Sequence, residues 1–546
     1  MKYQLISQQL ILAGLWLMTH WATAQLTGVQ VRTEQAQIPV LKHKENNPVL
    51  RIAMDATQAQ TLKELQISTR GTSDLNDIRK VRLFYTAADT LFSEEQPYAE
   101  ESSPDQEMRF IEKLNLAPGT HNFWVSYEVD ERADLPHFVD ASLSGAVFND
   151  GPAELSSAGD TIRLRLGLAL RQHQQDGVHT YRIPGLTTSK NGTLLAVYDA
   201  RRNSSRDLQG DIDIGLNRST DDGQSWGPMQ VVLDKNEWGG LPEKFNGVSD
   251  PCILADPNTD DIYVAGLWMH GVLDEDGQWI AGLTAESNAW EHQWRNKGSQ
   301  PGYDVKQTSQ FLITKSTDDG LTWSEPVNLT KMGKQEEWWL WAPAPGRGIV
   351  MTDGTLVFPT QGRNASGESF SNITYSRDQG KTWVTSKPAY SNTTECAVVQ
   401  LSDGSLMLNM RDNRNRQNKS ETNGRAVFVT HDLGQSWERH PTHHGALPEP
   451  TCMASLHKHQ YDNGTKSILL FSNPNSKYQR DHITVKMSFD DGMTWPKEHW
   501  LLLDEGKGRG YSCLTSIDEN TIGIVYEGSQ ADLTFQQITL DELLNE

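Results

Sequence analysis

Three arginines lie in or just after β-like segments: Arg182 in Tyr181-Arg182-Ile183-Pro184, Arg411 in Leu408-Asn409-Met410-Arg411-Asp412, and Arg480 after Ser472-Asn473-Pro474, with Lys477 nearby. A guanidinium is a planar fork that matches a carboxylate bidentately, and several converging forks hold one far better than lysines would. An arginine taken singly more often pairs with a surface acid, at little gain in stability. Tyr511, in Gly510-Tyr511-Ser512-Cys513-Leu514, carries a phenol that ionises only near pH 10, so as a nucleophile it needs a base, and otherwise it is a core residue on an inner strand. The run from Asp199 to Asp211 holds Asp207 and Asp211 around a polar stretch, with Asp211 leading directly into Ile212-Asp213-Ile214-Gly215-Leu216. A loop carboxyl that closes over a substrate is dried and its pKa raised, as a general acid requires. Asp250, in Ser249-Asp250-Pro251-Cys252, also fits an ordinary turn before proline.

These residues sit in a repetitive chain. Ser219 to Trp226 spells STDDGQSW, Ser316 to Trp323 STDDGLTW, Ser376 to Trp383 SRDQGKTW, Thr430 to Trp437 THDLGQSW and Ser488 to Trp495 SFDDGMTW. In such a box the Asp carboxylate bonds nearby backbone N–H groups, the Gly takes positive φ and the Trp packs into a sheet, so the box is structural. Successive starts differ by 97, 60, 54 and 58 residues. The unit is therefore close to 60 residues, and the first gap holds an insertion or a unit without the box. A recurring all-β unit of that length predicts radial blades, about six of them between Thr161 and Glu546. Before them, alternating runs such as Val81-Arg82-Leu83-Phe84-Tyr85, separated by Asp-, Gly- and Pro-rich turns, predict a β-sandwich ending at a polar linker over residues 149–159. The fold class is all-β: a six-bladed β-propeller at 161–546 preceded by a smaller β-sandwich at 25–160.

The chain has 546 residues, 49 Lys and Arg against 71 Asp and Glu, and a formal charge of −22. That balance, with no long basic run, argues against nucleic acid and anionic lipid as partners, and at long range against an acidic ligand. Residues 1–24, with Lys2, an apolar stretch from Leu10 to Met18 and Ala22-Thr23-Ala24, have the form of a cleavable export signal, giving a periplasmic or secreted chain without a transmembrane anchor. The four cysteines, Cys252, Cys396, Cys452 and Cys513, lack zinc-site spacing and share a placement at the start of β-like runs. That placement suggests small buried residues on equivalent inner strands rather than disulfides.

Tyr181-Arg182-Ile183-Pro184 followed by five Asp boxes resembles the bacterial exo-sialidases (neuraminidases), six-bladed propellers that release terminal sialic acid from glycans. The resemblance covers residues 179–529, and the N-terminal region resembles the accessory domain that some of these enzymes carry. It implies that Arg182, Arg411 and Arg480 form the triad that binds the sialate carboxylate, with Glu527, in Ile524-Val525-Tyr526-Glu527-Gly528, holding the fork of Arg182. Tyr511 is implied as the nucleophile and Glu395, in Thr394-Glu395-Cys396-Ala397, as its partner. Sialic acid carries a carboxylate on its anomeric carbon, so an anionic nucleophile would be repelled where a neutral phenol is not. The offset from Asp199 places the acid/base on Asp207, with Asp211 as competitor. Arg201 is implied as a further substrate contact, and Asp250 as a hydrogen-bond partner of a sugar hydroxyl. No cofactor or metal is implied.

The expected activity is retaining hydrolysis of terminal α-linked sialic acid. The alternatives are a trans-sialidase, intermolecular or intramolecular, and a sialic-acid-binding lectin, which would not need Tyr511, Glu395 and Asp207 together. A propeller acting on neutral polysaccharide would have no reason to gather three arginines. The sandwich either binds glycan or packs against the catalytic domain. Trp268, Trp279, Trp290, Trp294 and the run Trp338-Trp339-Leu340-Trp341 supply core or pocket walls. Nine N-x-Ser/Thr sequons, including those at Asn203 and Asn392, favour a producer that does not N-glycosylate, because glycans there would obstruct the site.

Overall fold

A computed structural model describes residues 28–153, 155, 162–208, 210–269, 280, 282–287, 299–305 and 307–544. The expected signal at 1–24, residues 154 and 156–159 of the expected linker, and Trp279, Trp290 and Trp294 lie outside the described residues.

The boxes form the turns that the residue types require. Asp221 accepts Ser219 Oγ at 2.7 Å and Ser225 N at 3.0 Å, and Asp318, Asp378, Asp432 and Asp490 repeat the pattern. Hydrogen bonds from Thr322, Thr382 and Ser436 pull the carboxyls of Asp318, Asp378 and Asp432 down to about 2. The box glycines have φ of 76–92°, open to glycine at little cost. They also lack room for a side chain: a Cβ on Gly223 would lie 2.2 Å from Phe535, on Gly320 2.5 Å from Leu195, on Gly380 2.8 Å from Tyr263 and on Gly434 2.5 Å from Ser386. Each of these neighbours belongs to the preceding blade, so the repeat that shapes a turn also sets blade-to-blade packing.

Among the described residues six blades surround one axis. Their inner strands are Thr180–Thr188, Val248–Ala255, Leu340–Pro343, Thr393–Gln400, Ser455–Tyr461 and Ser512–Ser516, and the second strands are Leu194–Arg201, Ile262–Trp268, Leu356–Arg363, Leu406–Asp412, Lys466–Pro474 and Thr521–Tyr526. The long gap between the first two boxes is an insertion, residues 269–309, between the second and third strands of the second blade. The sixth blade has no box and is closed by Leu164–Arg171, which pairs with the C-terminal strand Leu533–Thr539. Joining the first propeller strand to the last converts an open sheet array into a ring.

The sandwich consists of two sheets, one around Asn47–Ala56, Gly119–Val129 and Ile78–Ala87, the other around Gln60–Ser68 and Ser142–Phe148. Ile52, Met54, Leu65, Ile67, Leu83, Phe123 and Phe148 fill its core. It does not merely precede the propeller. Val40–Lys42 pairs in parallel, and Phe138–Val139 antiparallel, with the closing strand Leu164–Arg171. Buried Lys42 donates to Ala133 O at 3.1 Å and to Gln224 O in the first box at 3.2 Å. The sandwich is thus packed against the propeller through shared strands and buried hydrogen bonds.

Trp268, Trp338 and Trp341 are buried in core clusters. Free Cys252, Cys396, Cys452 and Cys513 are all buried at the inner-strand entries, where a thiol acts as a small apolar group. Gly223→Ala should lower unfolding free energy by about 2 kcal/mol or more, through overpacking at Phe535 and backbone strain, with KM unchanged. Urea denaturation checks this, and wild-type stability would contradict the packing role of the box.

Candidate active site

Alternating strand direction places the starts of the inner strands and the ends of the second strands on one face of the ring, with the box turns on the other. At that mouth the ladder is interrupted in three blades, between Arg182 and Gly185, Ser249 and Cys252, and Thr393 and Cys396. Ile183 and Asp250 adopt φ of 59° and 56°, and Thr451 and Gly510, at the entries to the fifth and sixth blades, 58° and 90°. Bulges re-aim side chains, and left-handed non-glycine residues persist where the surroundings enforce them. Here they turn Arg182, Asp250 and Glu395 into a common pocket of about 500 Å³, within the size range of small-ligand sites.

Arg182, Arg201, Asp207, Asp250, Glu395, Arg411, Arg480 and Tyr511 all line this pocket. Glu527 lies behind it, 1% exposed, with one oxygen accepting Arg182 Nε at 2.5 Å and Ile183 N at 2.8 Å and the other Tyr511 N at 3.1 Å. Burial alone would raise its carboxyl, but the Arg182 charge and these hydrogen bonds outweigh it and leave the group below its ordinary value. Tyr511 is buried, and its hydroxyl donates to Glu395 Oε1. Arg411 Nη1 lies 2.6 Å from Glu395 Oε2 and 3.0 Å from the Tyr511 oxygen. The guanidinium carbons of Arg182 and Arg480 stand 5.4 and 5.5 Å from the centre of the Tyr511 ring. Burial, then the Glu395 charge, push the phenol well above its ordinary pKa against the pull of Arg411 and Arg480, so it stays neutral until a base takes its proton. Arg480 is held by Arg509 O at 2.9 Å and Thr451 O at 3.1 Å. Among the described residues Arg411 Nε has no hydrogen-bond partner.

On the opposite wall, buried Arg201 donates to Asp199 at 2.9 Å and to Asp207 at 2.5 Å. Asp199 also accepts Ser249 Oγ at 2.6 Å and Asp250 N at 3.1 Å, and burial raises its carboxyl to about 6. Asp207 projects from the loop with its side chain 55% exposed, so the drying expected of a closed loop is not present. Asp211, the competitor, is not among the pocket residues. Burial, then the charges of Asp207, Asp199 and Glu395, push Asp250 well above its ordinary range.

Sequence reasoning passed over Gln361 and Arg363, at the end of the second strand of the third blade, and Asn413 and Arg416, on the turn after Arg411. Their signal was positional: Arg201 and Arg411 end or nearly end the equivalent strands. From the tryptophan run it is Leu340 that lines the pocket.

An arginine-walled pocket at the mouth of a six-bladed Asp-box propeller defines a class built to receive an acidic ligand. Residues 183–497 match the BNR repeat-like domain, and residues 28–103 match the N-terminal domain of BNR-repeat neuraminidase. The chain is 38% identical to a sialidase of Bacteroides fragilis, covering 93% of this chain and 94% of that one, and 30% identical to a sialidase of Clostridium perfringens, covering 66% and 88%. Among solved structures it is similar to the Hadza microbial sialidase Hz136, with a TM-score of 0.83, 37% identity and coverage of 93% and 99%. The chain belongs to the BNR-repeat sialidase family.

Glu527→Ala would leave Arg182 without its partner and two buried N–H groups unpaired. Unfolding free energy should fall by about 3–5 kcal/mol, measured in urea; a loss below about 1 kcal/mol would contradict the arrangement.

Proposed function

We propose that the protein is a retaining exo-α-sialidase that hydrolyses terminal sialic acid from glycans through a tyrosyl intermediate. The carrying observation is the Tyr511 hydroxyl donating to Glu395 while three arginines surround the same phenol. The sialate carboxylate seats on Arg182, Arg411 and Arg480, which places the anomeric carbon at the phenol. As the glycosidic bond breaks, Asp207 gives its proton to the leaving oxygen, and the Tyr511 oxygen bonds to the anomeric carbon while Glu395 takes the phenol proton. Water then attacks that carbon, Asp207 takes its proton, and the departing phenolate recovers one from Glu395. Arg201 holds Asp207 in reach, and Asp250 meets a sugar hydroxyl. A neutral polysaccharide would leave the arginines without a purpose, and a lectin would leave the Tyr511–Glu395 pair without one.

In the proposed cell biology the chain is exported and cleaved after Ala24, so the mature protein should begin at Gln25; N-terminal sequencing that returns Met1 would overturn this. Among the described residues no helix is long and apolar enough to cross a membrane.

Tyr511→Phe should lower turnover of a fluorogenic sialoside by at least about a thousandfold with unfolding unchanged, and an undiminished rate sinks the nucleophile assignment. Asp207→Ala should slow substrates with poor leaving groups far more than activated aryl sialosides. Equal losses on both would remove Asp207 as the acid. Product analysis with and without lactose separates hydrolysis from transfer.

A further inference from the structure

Arg425 and Glu449 form an ion pair in which neither side chain has any solvent exposure. An apolar pair of similar volume generally holds a fold as well or better, so the pair is informative for what else it holds. Arg425 precedes the third strand of the fourth blade. Its Nη1 donates to Glu449 Oε2 at 2.6 Å and to Cys452 O at 2.7 Å, its Nε to Asn409 Oδ1 at 2.6 Å, and its Nη2 to Asn409 O at 3.2 Å. The other oxygen of Glu449 accepts the backbone N of Asp412 at 2.7 Å and Nδ2 of Asn415.

The amide held in this way is the one that follows Arg411. Asn415 belongs to the turn Asn413–Arg416, which brings Asn413 and Arg416 into the pocket wall. Beyond Glu449 the chain runs to Thr451, whose carbonyl takes Arg480 Nη2 at 3.1 Å while its backbone holds a φ of 58°. One buried pair therefore fastens both the strand end that carries Arg411 and the segment that orients Arg480. Neither residue lines the pocket.

We infer that Arg425 and Glu449 are positioning residues for carboxylate binding, setting the separation of Arg411 and Arg480; this rests on the sialidase reading above. A carboxylate held by several forks is sensitive to their spacing, because bidentate bonds lose strength quickly with misalignment. The seat is used in both the Michaelis complex and the transition state, so its distortion raises KM more than it lowers kcat. A pair that only stabilised the fold would instead change the melting temperature or the active fraction, leaving KM unmoved.

The test compares wild type, Glu449→Gln, and the double variant Arg425→Met/Glu449→Met, which removes both charges and keeps the bulk. Melting temperature, kcat and KM on a fluorogenic sialoside, and the Kd of free sialate by calorimetry are measured for each. In both variants KM and the sialate Kd should rise together, on the order of tenfold to a hundredfold, with a smaller fall in kcat. Unchanged KM and Kd in folded protein overturn the inference, including when kcat or melting temperature falls. If the double variant does not fold, Glu449→Gln decides by the same criterion. A wild type that releases no sialate overturns the functional reading and this inference together, whereas wild-type turnover with unchanged variant KM overturns the positioning role alone.

Discussion

Glu527 joins the first and last blades of the ring behind the arginine-lined pocket. One oxygen fixes the fork of Arg182 and the strained amide of Ile183; the other takes the amide of Tyr511. Without a buried acceptor, two backbone N–H groups and a guanidinium would face the interior unpaired, at a cost of several kcal/mol. With it, the fork of Arg182 and the backbone of Tyr511 are tied to a single carboxylate. The closing strand Leu164–Arg171 and the sandwich strands laid along it keep that seam shut from the opposite side of the sixth blade.

Charge is arranged on two scales. The chain as a whole carries −22, yet the pocket is lined by six arginines, Arg182, Arg201, Arg363, Arg411, Arg416 and Arg480, against three carboxylates, Asp207, Asp250 and Glu395. Beyond about 8 Å at physiological salt the net charge is largely screened, so the local excess of cations decides which ligand enters. The phenol of Tyr511 is kept neutral in spite of that excess, by burial and by the Glu395 charge. On the proposed reading, a phenol kept neutral in this way can approach an anomeric carbon that already bears a carboxylate, with Glu395, held by Arg411, placed to accept its proton.

The box motif was legible because hairpin turns impose residue types at fixed offsets, and five copies made the blade period plain. The residues that line the pocket were legible where they sat in recognisable strings, as with Arg182 and Tyr511. Gln361 and Arg363 were not, because the third blade presents them on a strand end without a distinctive string. The pair Arg425 and Glu449 was invisible for a further reason: what it does is hold backbone groups of Asp412 and Cys452, and a sequence carries no mark of which carbonyl or amide a side chain will reach. The stitching of the sandwich onto the propeller is likewise a matter of strand register, which the alternation of Val40-Leu41-Lys42 does not announce. The tryptophan run, chemically suggestive in sequence, supplies core in Trp338 and Trp341.

On the proposed mechanism a neutral tyrosine attacks the sialyl carbon with a glutamate as its base. This attack is tested most directly by trapping the intermediate with a sialyl donor fluorinated at C3, which slows release of the sugar from the enzyme, followed by mass spectrometry of the digested protein. One sialyl adduct is expected, on the peptide that contains Tyr511, and none in Tyr511→Phe. An adduct on Glu395 or Asp207, or turnover without any covalent species, would contradict that mechanism.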